Sequence, residues 1–271
     1  MNSESPSLPQ PALLQSGDAA LLDLAARLAG EAAELIRAIR RRGFETVTKS
    51  DSSPVTEADH AAEAHILKGL RAAAPHIPVI AEEEAAAGVR IEAGETFWLV
   101  DPLDGTREFA AGRDDFTVNI GLVRGGRAVL GAVALPAYHQ LYTAHVATGA
   151  RRIDESGAHA IAARAIPPEG LTVLASRHYA DDPRLAAFLG GQRIAHLGNI
   201  GSAAKFIRVA EGLVDLYPRL GTTMEWDTAA PQAVVEAAGG SVTLLDGSPL
   251  RYGKPDWRNP HFVCVGKREH S

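Results

Sequence analysis

The sequence has no partner for a disulfide, no long apolar run and no excess of positive charge. Cys264 is the one cysteine among 271 residues, and its apolar, strand-like surroundings predict a buried core position. No run approaches the roughly 18 apolar residues that a transmembrane helix needs. The formal net charge of −6, without a basic block, argues against a nucleic acid polymer as partner. These absences predict a cytoplasmic protein without an integral membrane segment, and they leave open peripheral association with the inner membrane face.

The chain length allows one large domain or two closely packed subdomains. Residues 1–17 are rich in Pro, Ser and Gln and lack the pattern of a signal peptide, so we expect a flexible tail. The Gly- and Pro-containing segment 146–168 is the best candidate for a boundary. We therefore predict an N-terminal α+β subdomain at 18–150 and a C-terminal α/β subdomain at 151–271.

Apolar periodicity predicts the main elements. Helical spacing extends from Asp18 to Arg42, and a second helix begins near Val55. The apolar run at 97–100 indicates a buried strand, and alternation over 116–123 and 128–135 around a Gly-Gly turn indicates an antiparallel hairpin. Strands and helices alternate in the second half, so the predicted fold class is α/β in the wider α+β sense.

The most informative stretch is 101–106, Asp-Pro-Leu-Asp-Gly-Thr, which follows the buried strand. Its proline fixes a turn that lets Asp101 and Asp104 converge on one hard cation of the Mg²⁺ type. Gly105 and Thr106 begin a short helix, whose free N–H groups suit a phosphate oxyanion. The alternative is a structural turn in which Asp104 or Thr106 caps the helix.

Three further acids fit this chemistry but have structural alternatives. Asp59 falls in the first turn of a predicted helix, where the helix dipole favours any carboxylate, so its residue type alone favours a structural role. Glu82 follows the short predicted strand 79–81. It either begins a solvated helix or is an acid placed at the end of a strand, as Asp101 is. Asp227 precedes a helix, where an isolated aspartate is most often an N-cap.

One helix start is also a candidate phosphate site. Ser202 lies at a Gly-Ser helix start and Lys205 follows one turn later. This segment either receives a phosphate or is a capped surface helix.

Together these residues resemble the metal-dependent, lithium-sensitive phosphatases that include inositol monophosphatase and the bisphosphate nucleotidases. The resemblance extends over residues 18–266 and rests on 101–106 and on Trp-Asp-Thr-Ala-Ala at 226–230, followed by Glu-Ala-Ala-Gly-Gly at 236–240. The bacterial bisphosphate nucleotidases are the most similar branch, judged from residues 49–59, 107–109, 116–120 and 216–219. The resemblance implies a layered α/β/α/β/α sandwich with the site between two sheet regions.

The resemblance also implies roles for individual residues. It places metal ligation on Glu82, Asp101, the Leu103 carbonyl, Asp104 and Asp227, and the catalytic pair on Thr106 and Asp59. The predicted substrate-binding residues are Glu82, Leu103, Asp104, Gly105, Thr106, Ser202, Lys205, Arg219 and Asp227. Four clustered carboxylates require neutralisation by divalent cations. We expect two or three Mg²⁺ ions, with Mn²⁺ as a substitute and Li⁺ as an inhibitor.

The substrate prediction depends on Arg219. Inositol phosphatases typically have an acid at this position, which receives sugar hydroxyls, whereas a cation suits a second phosphate. The resemblance therefore implies hydrolysis of the 3′-phosphate of adenosine 3′,5′-bisphosphate to AMP and phosphate. An inositol-1-phosphate or small sugar-phosphate phosphatase is the alternative, and a non-catalytic binding protein is a rival from another class. The chain is expected to be a monomer or homodimer. The loop 110–115 and Pro231 depart from the family pattern.

Overall fold

The computed structural model describes residues 14–48, 54–179 and 181–267. Most of the predicted N-terminal tail lies outside these ranges. So do residues 49–53, which belong to the segment 49–59 used above for the family resemblance. Seven helices occur in the described part of the chain: α1 Asp18–Arg42, α2 Glu57–Ala73, α3 Glu82–Ala86, α4 Thr106–Ala110, α5 Pro183–Leu189, α6 Ala204–Ala210 and α7 Ala229–Ala237. Short 3₁₀ turns occupy Pro136–Tyr138, Arg177–Tyr179 and Glu225–Asp227.

The strands of the first half are β1 Thr46–Thr48, β2 Pro54–Thr56, β3 Val79–Ala81, β4 Thr96–Asp104, β5 Thr117–Arg124, β6 Arg127–Leu135, β7 Gln140–His145, β8 Gly149–Asp154 and β9 Gly157–Ile161. Those of the second half are β10 Leu171–Ser176, β11 Ile194–Ile200, β12 Leu216–Arg219, β13 Thr223–Met224, β14 Ser241–Leu244, β15 Arg258–Asn259 and β16 Phe262–Val265.

The larger sheet has seven strands in sequence order from β3 to β9. Only β3 and β4 are parallel, and the remaining neighbours are antiparallel. The predicted hairpin of β5 and β6 is confirmed. The sheet continues past residue 150 to Ile161, because β8 and β9 add to its edge. The division into two subdomains stays a prediction, but the first sheet ends eleven residues after the predicted boundary.

Both faces of this sheet are covered. Successive residues of β4 point to opposite faces, so Trp98 and Val100 pack with α1 and α2, whereas Phe97 and Leu99 lie in the cluster that contains Ala229 of α7. A strand buried on both faces needs a continuous apolar run, which explains the sequence at 97–100.

The smaller sheet has the strand order β11-β10-β12-β16-β14. One face packs with α6 and α7, in the cluster that contains Phe206, Val234 and the buried Cys264. The other face packs with Leu185 and Leu189 of α5. The order of layers is therefore α1 and α2, large sheet, α6 and α7, small sheet, α5, which confirms the predicted α/β/α/β/α sandwich. No helix in the described ranges has both the length and the apolar character that crossing a bilayer requires.

Candidate active site

The predicted site residues meet at one cavity of about 720 Å³. Its lining includes every predicted metal-ligating and substrate-binding residue: Glu82, Asp101, Leu103, Asp104, Gly105, Thr106, Ser202, Lys205, Arg219 and Asp227. Asp59 is not part of the lining and lies behind Thr106, to which it is hydrogen-bonded. The structure thus brings together residues that are up to 168 positions apart in the chain, from Asp59 to Asp227.

Strand pairing places Glu82 beside Asp101. The parallel strands β3 and β4 align Ala81 with Val100. Asp101 is the next residue of β4, and Glu82 follows β3 directly as the first residue of α3, so Glu82 both begins a helix and lies at a strand end. The two acids therefore occupy neighbouring positions on adjacent strands, where β3 ends, which is the arrangement that acids placed at a strand end predict.

An irregularity in β4 allows Asp101 and Asp104 to face the same cavity. In a regular strand, residues three apart point to opposite faces. Here Asp101 pairs with Asn119 and Asp104 with Thr117, and the register shifts between the two pairs. The Leu103 N–H donates to Asp101 Oδ1 at 3.0 Å within this bulge. The bulge therefore performs the converging role that the sequence predicts for the proline turn, although β4 itself continues to Asp104.

Asp227 reaches the cavity from the 3₁₀ turn that precedes α7. Its Oδ2 accepts the Met224 N–H at 2.9 Å, and Thr228, not Asp227, occupies the N-cap of α7. The structural alternative of an α7 N-cap is therefore wrong for Asp227. Pro231 lies in the first turn of α7, where a helix tolerates proline.

The acids at the cavity disfavour one another's ionised forms. Burial, followed by repulsion from Glu82, Asp104 and Asp227, raises the pKa of Asp101 well above its usual value. Burial and repulsion from Asp104 and Glu82 likewise raise the pKa of Asp227 well above its usual value. Burial also raises the pKa of Asp104, although Lys205, the Ala203 N–H and Arg219 oppose that shift.

This electrostatic arrangement suits divalent cations, because four carboxylates supply hard oxygen ligands and a charge that needs neutralisation. Within the described ranges, however, no group of three or more His, Cys, Asp or Glu side chains stands in an arrangement that could hold a metal ion. Ligation by these acids therefore requires side-chain movement and stays a prediction.

Thr106 and Asp59 form a direct hydrogen-bonded pair. Thr106 Oγ1 lies 3.0 Å from Asp59 Oδ1 and 3.1 Å from the Leu103 carbonyl oxygen. Asp59 Oδ2 accepts the N–H and the hydroxyl of Thr56, both at 2.7 Å, which forms the capping box of α2. Burial raises the pKa of Asp59 against the opposing effect of these hydrogen bonds. The structural role of Asp59 as a cap thus leaves its other oxygen in contact with Thr106, and the catalytic role stays a prediction.

Four basic side chains line the same cavity, and two of them, Lys205 and Arg219, are predicted to bind substrate. Lys205 is buried, so the alternative of a capped surface helix is wrong, and its Nζ donates to the Ser202 carbonyl at 2.6 Å. Burial, followed by repulsion from Arg219, lowers the pKa of Lys205 to about 7. Arg219 donates to the Thr222 carbonyl at 2.7 Å and its guanidinium lies 5.1 Å from the Tyr179 ring centroid.

Ser202 adopts a left-handed conformation with φ of 51°, and its Oγ accepts the N–H of Ala204 at 3.1 Å. The preceding N–H, that of Ala203, donates to Asp104 Oδ2 at 2.5 Å. The start of α6 is thus attached directly to the acidic cluster.

Sequence reasoning missed several residues of the lining, among them Tyr179, Trp257 and Arg258. They lie in the 3₁₀ turn after β10 and in the segment that enters β15. No periodicity or motif marks these positions, and only the packing of distant segments brings them to the cavity.

Comparison with known proteins agrees with this geometry. The model of the inositol monophosphatase family matches residues 18–270. The chain is 40% identical over 247 residues to the 3′(2′),5′-bisphosphate nucleotidase CysQ of Escherichia coli (strain K12), covering 89% of this chain and 98% of that protein. It is 39% identical over 253 residues to the 3′-phosphoadenosine 5′-phosphate phosphatase of Mycobacterium leprae, covering 89% and 87%. The crystal structure of CysQ from Bacteroides thetaiotaomicron superposes with a TM-score of 0.77 at 32% identity, covering 92% and 98%.

Proposed function

This chain belongs to the inositol monophosphatase family, and from that premise we propose that it hydrolyses the 3′-phosphate of adenosine 3′,5′-bisphosphate to AMP and phosphate. The names of its relatives, bisphosphate nucleotidase and phosphoadenosine phosphate phosphatase, support this substrate. The observation that carries the proposal is a single cavity that contains the acidic cluster, the Thr106 hydroxyl and the cations Lys205 and Arg219. Acids and cations together suit a substrate with one phosphate to cleave and a second to bind.

Glu82, Asp101, the Leu103 carbonyl, Asp104 and Asp227 would hold the Mg²⁺ ions. When bound, Mg²⁺ supplies neutralising charge for the phosphoryl oxygens and lowers the pKa of water. Two or three ions, replacement by Mn²⁺ and inhibition by Li⁺ belong to this proposal.

The chain's own residues handle the proton and the phosphate. Thr106 orients the attacking water, accepts its proton at Oγ1 and passes its own proton to Asp59 Oδ1, which lies 3.0 Å away. Because burial raises the pKa of Asp59, its carboxylate is a stronger base than an exposed aspartate. As water forms its bond to phosphorus, the bond to the ribose 3′ oxygen breaks. That oxygen takes up a proton from solvent, and Asp59 returns to solvent the proton that it accepted. The N–H groups of Gly105 and Thr106 bind the phosphoryl oxygens.

Lys205 and Arg219 bind the second phosphate. Arg219 is fixed by its contacts with the Thr222 carbonyl and the Tyr179 ring, so little side-chain freedom is lost on binding. The buried Lys205 adds a positive charge. Its protonated fraction increases when an anion binds, because a nearby negative charge raises the pKa of a lysine. Ser202, at the start of the same helix, is the third residue that binds this phosphate.

A substrate panel tests the proposal. The purified chain with Mg²⁺ is given adenosine 3′,5′-bisphosphate or inositol 1-phosphate, and phosphate release is measured with and without EDTA and Li⁺. We expect kcat/KM for the bisphosphate to be roughly tenfold higher or more, and EDTA and Li⁺ to suppress release. A tenfold preference for the inositol ester, on that same scale, would contradict the nucleotidase proposal.

A variant distinguishes an enzyme from a binding protein. Asp104→Asn should abolish phosphate release while the thermal unfolding curve stays cooperative, because only one oxygen of the acidic cluster changes. Unchanged release in this variant would contradict the site assignment.

A further inference from the structure

Glu63 is a buried acid that lies outside the cavity lining. It belongs to α2 and is only 4% exposed. It follows Asp59 by four residues, one helical turn, so both side chains lie on the same face of α2. Asp59 contacts Thr106 from this face, whereas Glu63 reaches α3.

Both oxygens of Glu63 accept backbone N–H groups at the start of α3. Oε2 accepts the Glu83 N–H and Oε1 accepts the Glu84 N–H, each at 2.8 Å. The N-cap residue of α3, Ala81, makes no side-chain cap hydrogen bond. Glu63 therefore performs, from another helix, the capping that the local sequence of α3 lacks.

The Glu83 N–H belongs to the peptide that joins Glu82 to Glu83. Holding this N–H fixes the plane in which Glu82 leaves β3, beside Asp101 on the neighbouring strand. We propose that Glu63 is a positioning residue that sets the direction of the Glu82 carboxylate toward the cation site. This inference rests on the proposed function, because it takes Glu82 to be a metal ligand.

A second contact between α2 and α3 provides a matched control. Arg71 donates to both carboxylate oxygens of Glu84, at 2.9 and 2.6 Å. This ion pair joins the same two helices through a side chain, without a contact to the α3 backbone. If Glu63 merely fastens α3 to α2, loss of Arg71 should have a similar effect. If Glu63 aims Glu82, only loss of Glu63 should change cation binding.

The test measures Mg²⁺ binding to the full chain by titration calorimetry, without substrate. In Glu63→Gln, the amide offers one acceptor and turns an N–H₂ group toward the second N–H donor. We expect the Mg²⁺ dissociation constant to rise roughly tenfold or more, as is typical when an outer-shell partner of a metal ligand is removed. The Mg²⁺ dissociation constant of Arg71→Gln should stay within about twofold of that of the parent chain. In Glu63→Gln, kcat at saturating Mg²⁺ should change less than the Mg²⁺ activation constant.

Three outcomes would overturn the inference. Glu63→Gln could bind Mg²⁺ within about twofold of the parent, or Arg71→Gln could weaken binding as much as Glu63→Gln. Where Glu63→Gln fails to fold by circular dichroism, Glu63→Asp carries the test, because it keeps both oxygens and withdraws them by one methylene. An unchanged dissociation constant in that variant would also contradict the role.

The same measurements separate this inference from the proposed function. A chain that binds Mg²⁺ in a Glu63-dependent manner but releases no phosphate contradicts the nucleotidase proposal and supports the positioning role. A chain that releases phosphate with unchanged Mg²⁺ binding in Glu63→Gln contradicts the positioning role alone.

Discussion

Each oxygen of the Asp59 carboxylate has its own partner. Oδ2 closes the capping box of α2 with Thr56, and Oδ1 faces the Thr106 hydroxyl. The cap holds the carboxylate in one orientation, so the hydrogen bond to Thr106 needs no further ordering of the Asp59 side chain. A residue of ordinary structural type is thereby also suited to proton transfer.

Replacement of Thr106 should act on turnover rather than on binding. Thr106→Val keeps the size of the side chain but removes the hydroxyl that links water to Asp59. We expect kcat to fall roughly 10²- to 10⁴-fold while KM changes little, since general acid–base groups contribute on this scale. Thr106→Ser, which retains the hydroxyl, should keep most of the activity. Initial rates of phosphate release across substrate concentrations check both, and an active Thr106→Val would contradict the proton pathway.

Arg219→Ala should distinguish the two phosphates of the substrate. The change removes a charge-assisted contact of about 1.5–3 kcal/mol, which corresponds to roughly a tenfold to hundredfold rise in KM for adenosine 3′,5′-bisphosphate. Adenosine 3′-monophosphate lacks the second phosphate and is the matched substrate, whose KM should change little. Equal effects on both substrates would remove the argument for a second phosphate subsite.

Residue chemistry could be predicted from the sequence, whereas residue depth could not. The string 101–106 indicates cation and phosphate chemistry because acids, glycine and threonine are the groups that such sites use. Lys205 has the sequence context of a surface helix, yet it is buried. Asp227 alone resembles an N-cap, and its position at the cavity depends on how α7 meets the sheet. The site as a whole was therefore predictable only through the family resemblance.

At the scale of elements, two glycines determine how closely α7 approaches the large sheet. Gly121 of β5 and Gly131 of β6 are paired across the antiparallel ladder. A Cβ at Gly131 would lie 2.4 Å from the Ala230 carbonyl oxygen, and one at Gly121 would lie 2.6 Å from the Ala230 N. The first turn of α7 thus rests directly on the sheet backbone, which sets the depth of Asp227 two residues earlier.

Gly131→Ala should displace the start of α7 and, with it, Asp227. We expect overpacking to lower the free energy of unfolding by about 1–3 kcal/mol. We also expect half-maximal activity to require a higher Mg²⁺ concentration than in the parent chain. Gly30→Ala is the control, because a Cβ there meets nothing within 4 Å and alanine favours a helix. Urea unfolding and Mg²⁺-dependent rates check both variants. If Gly131→Ala unfolds and responds to Mg²⁺ as the parent does, the contact does not position Asp227.

Secondary structure could be predicted where apolar residues recur at a regular spacing, but not for the last two strands of the large sheet. The helix predicted at Asp18–Arg42 has the observed bounds, because its apolar face is continuous. β8 carries the adjacent charged residues Arg151 and Arg152, and β9 is largely exposed, so neither has the alternating apolar sequence that predicts a half-buried strand. Pairing along the sheet, rather than a local apolar pattern, accounts for both: β8 pairs with β7, and the edge strand β9 pairs with β8.

At the scale of the whole molecule, the cavity draws on both halves of the chain. The first half provides Asp101 and Asp104 from β4 and Glu82 from the start of α3, whereas the second half provides Lys205, Arg219 and Asp227. Among the predicted site residues, the acids come mostly from β4 and the end of β3, and the cations come from α6 and β12. The layered packing that brings these parts together stabilises the fold and also assembles four acids that repel one another.

This repulsion predicts a stability that depends on Mg²⁺. A cation that binds only the folded chain adds about 2.7 kcal/mol at one hundred times its dissociation constant. For a chain of this size we expect a rise in Tm of roughly 5–10 °C over the value in EDTA. Asp101→Asn should lose most of this rise, and its Tm in EDTA should exceed that of the parent because one repelling charge is gone. Glu92→Gln changes the net charge equally at an exposed position and should behave as the parent does. Thermal unfolding with Mg²⁺ or EDTA measures these differences, and an undiminished Mg²⁺ effect in Asp101→Asn would show that the cation binds elsewhere.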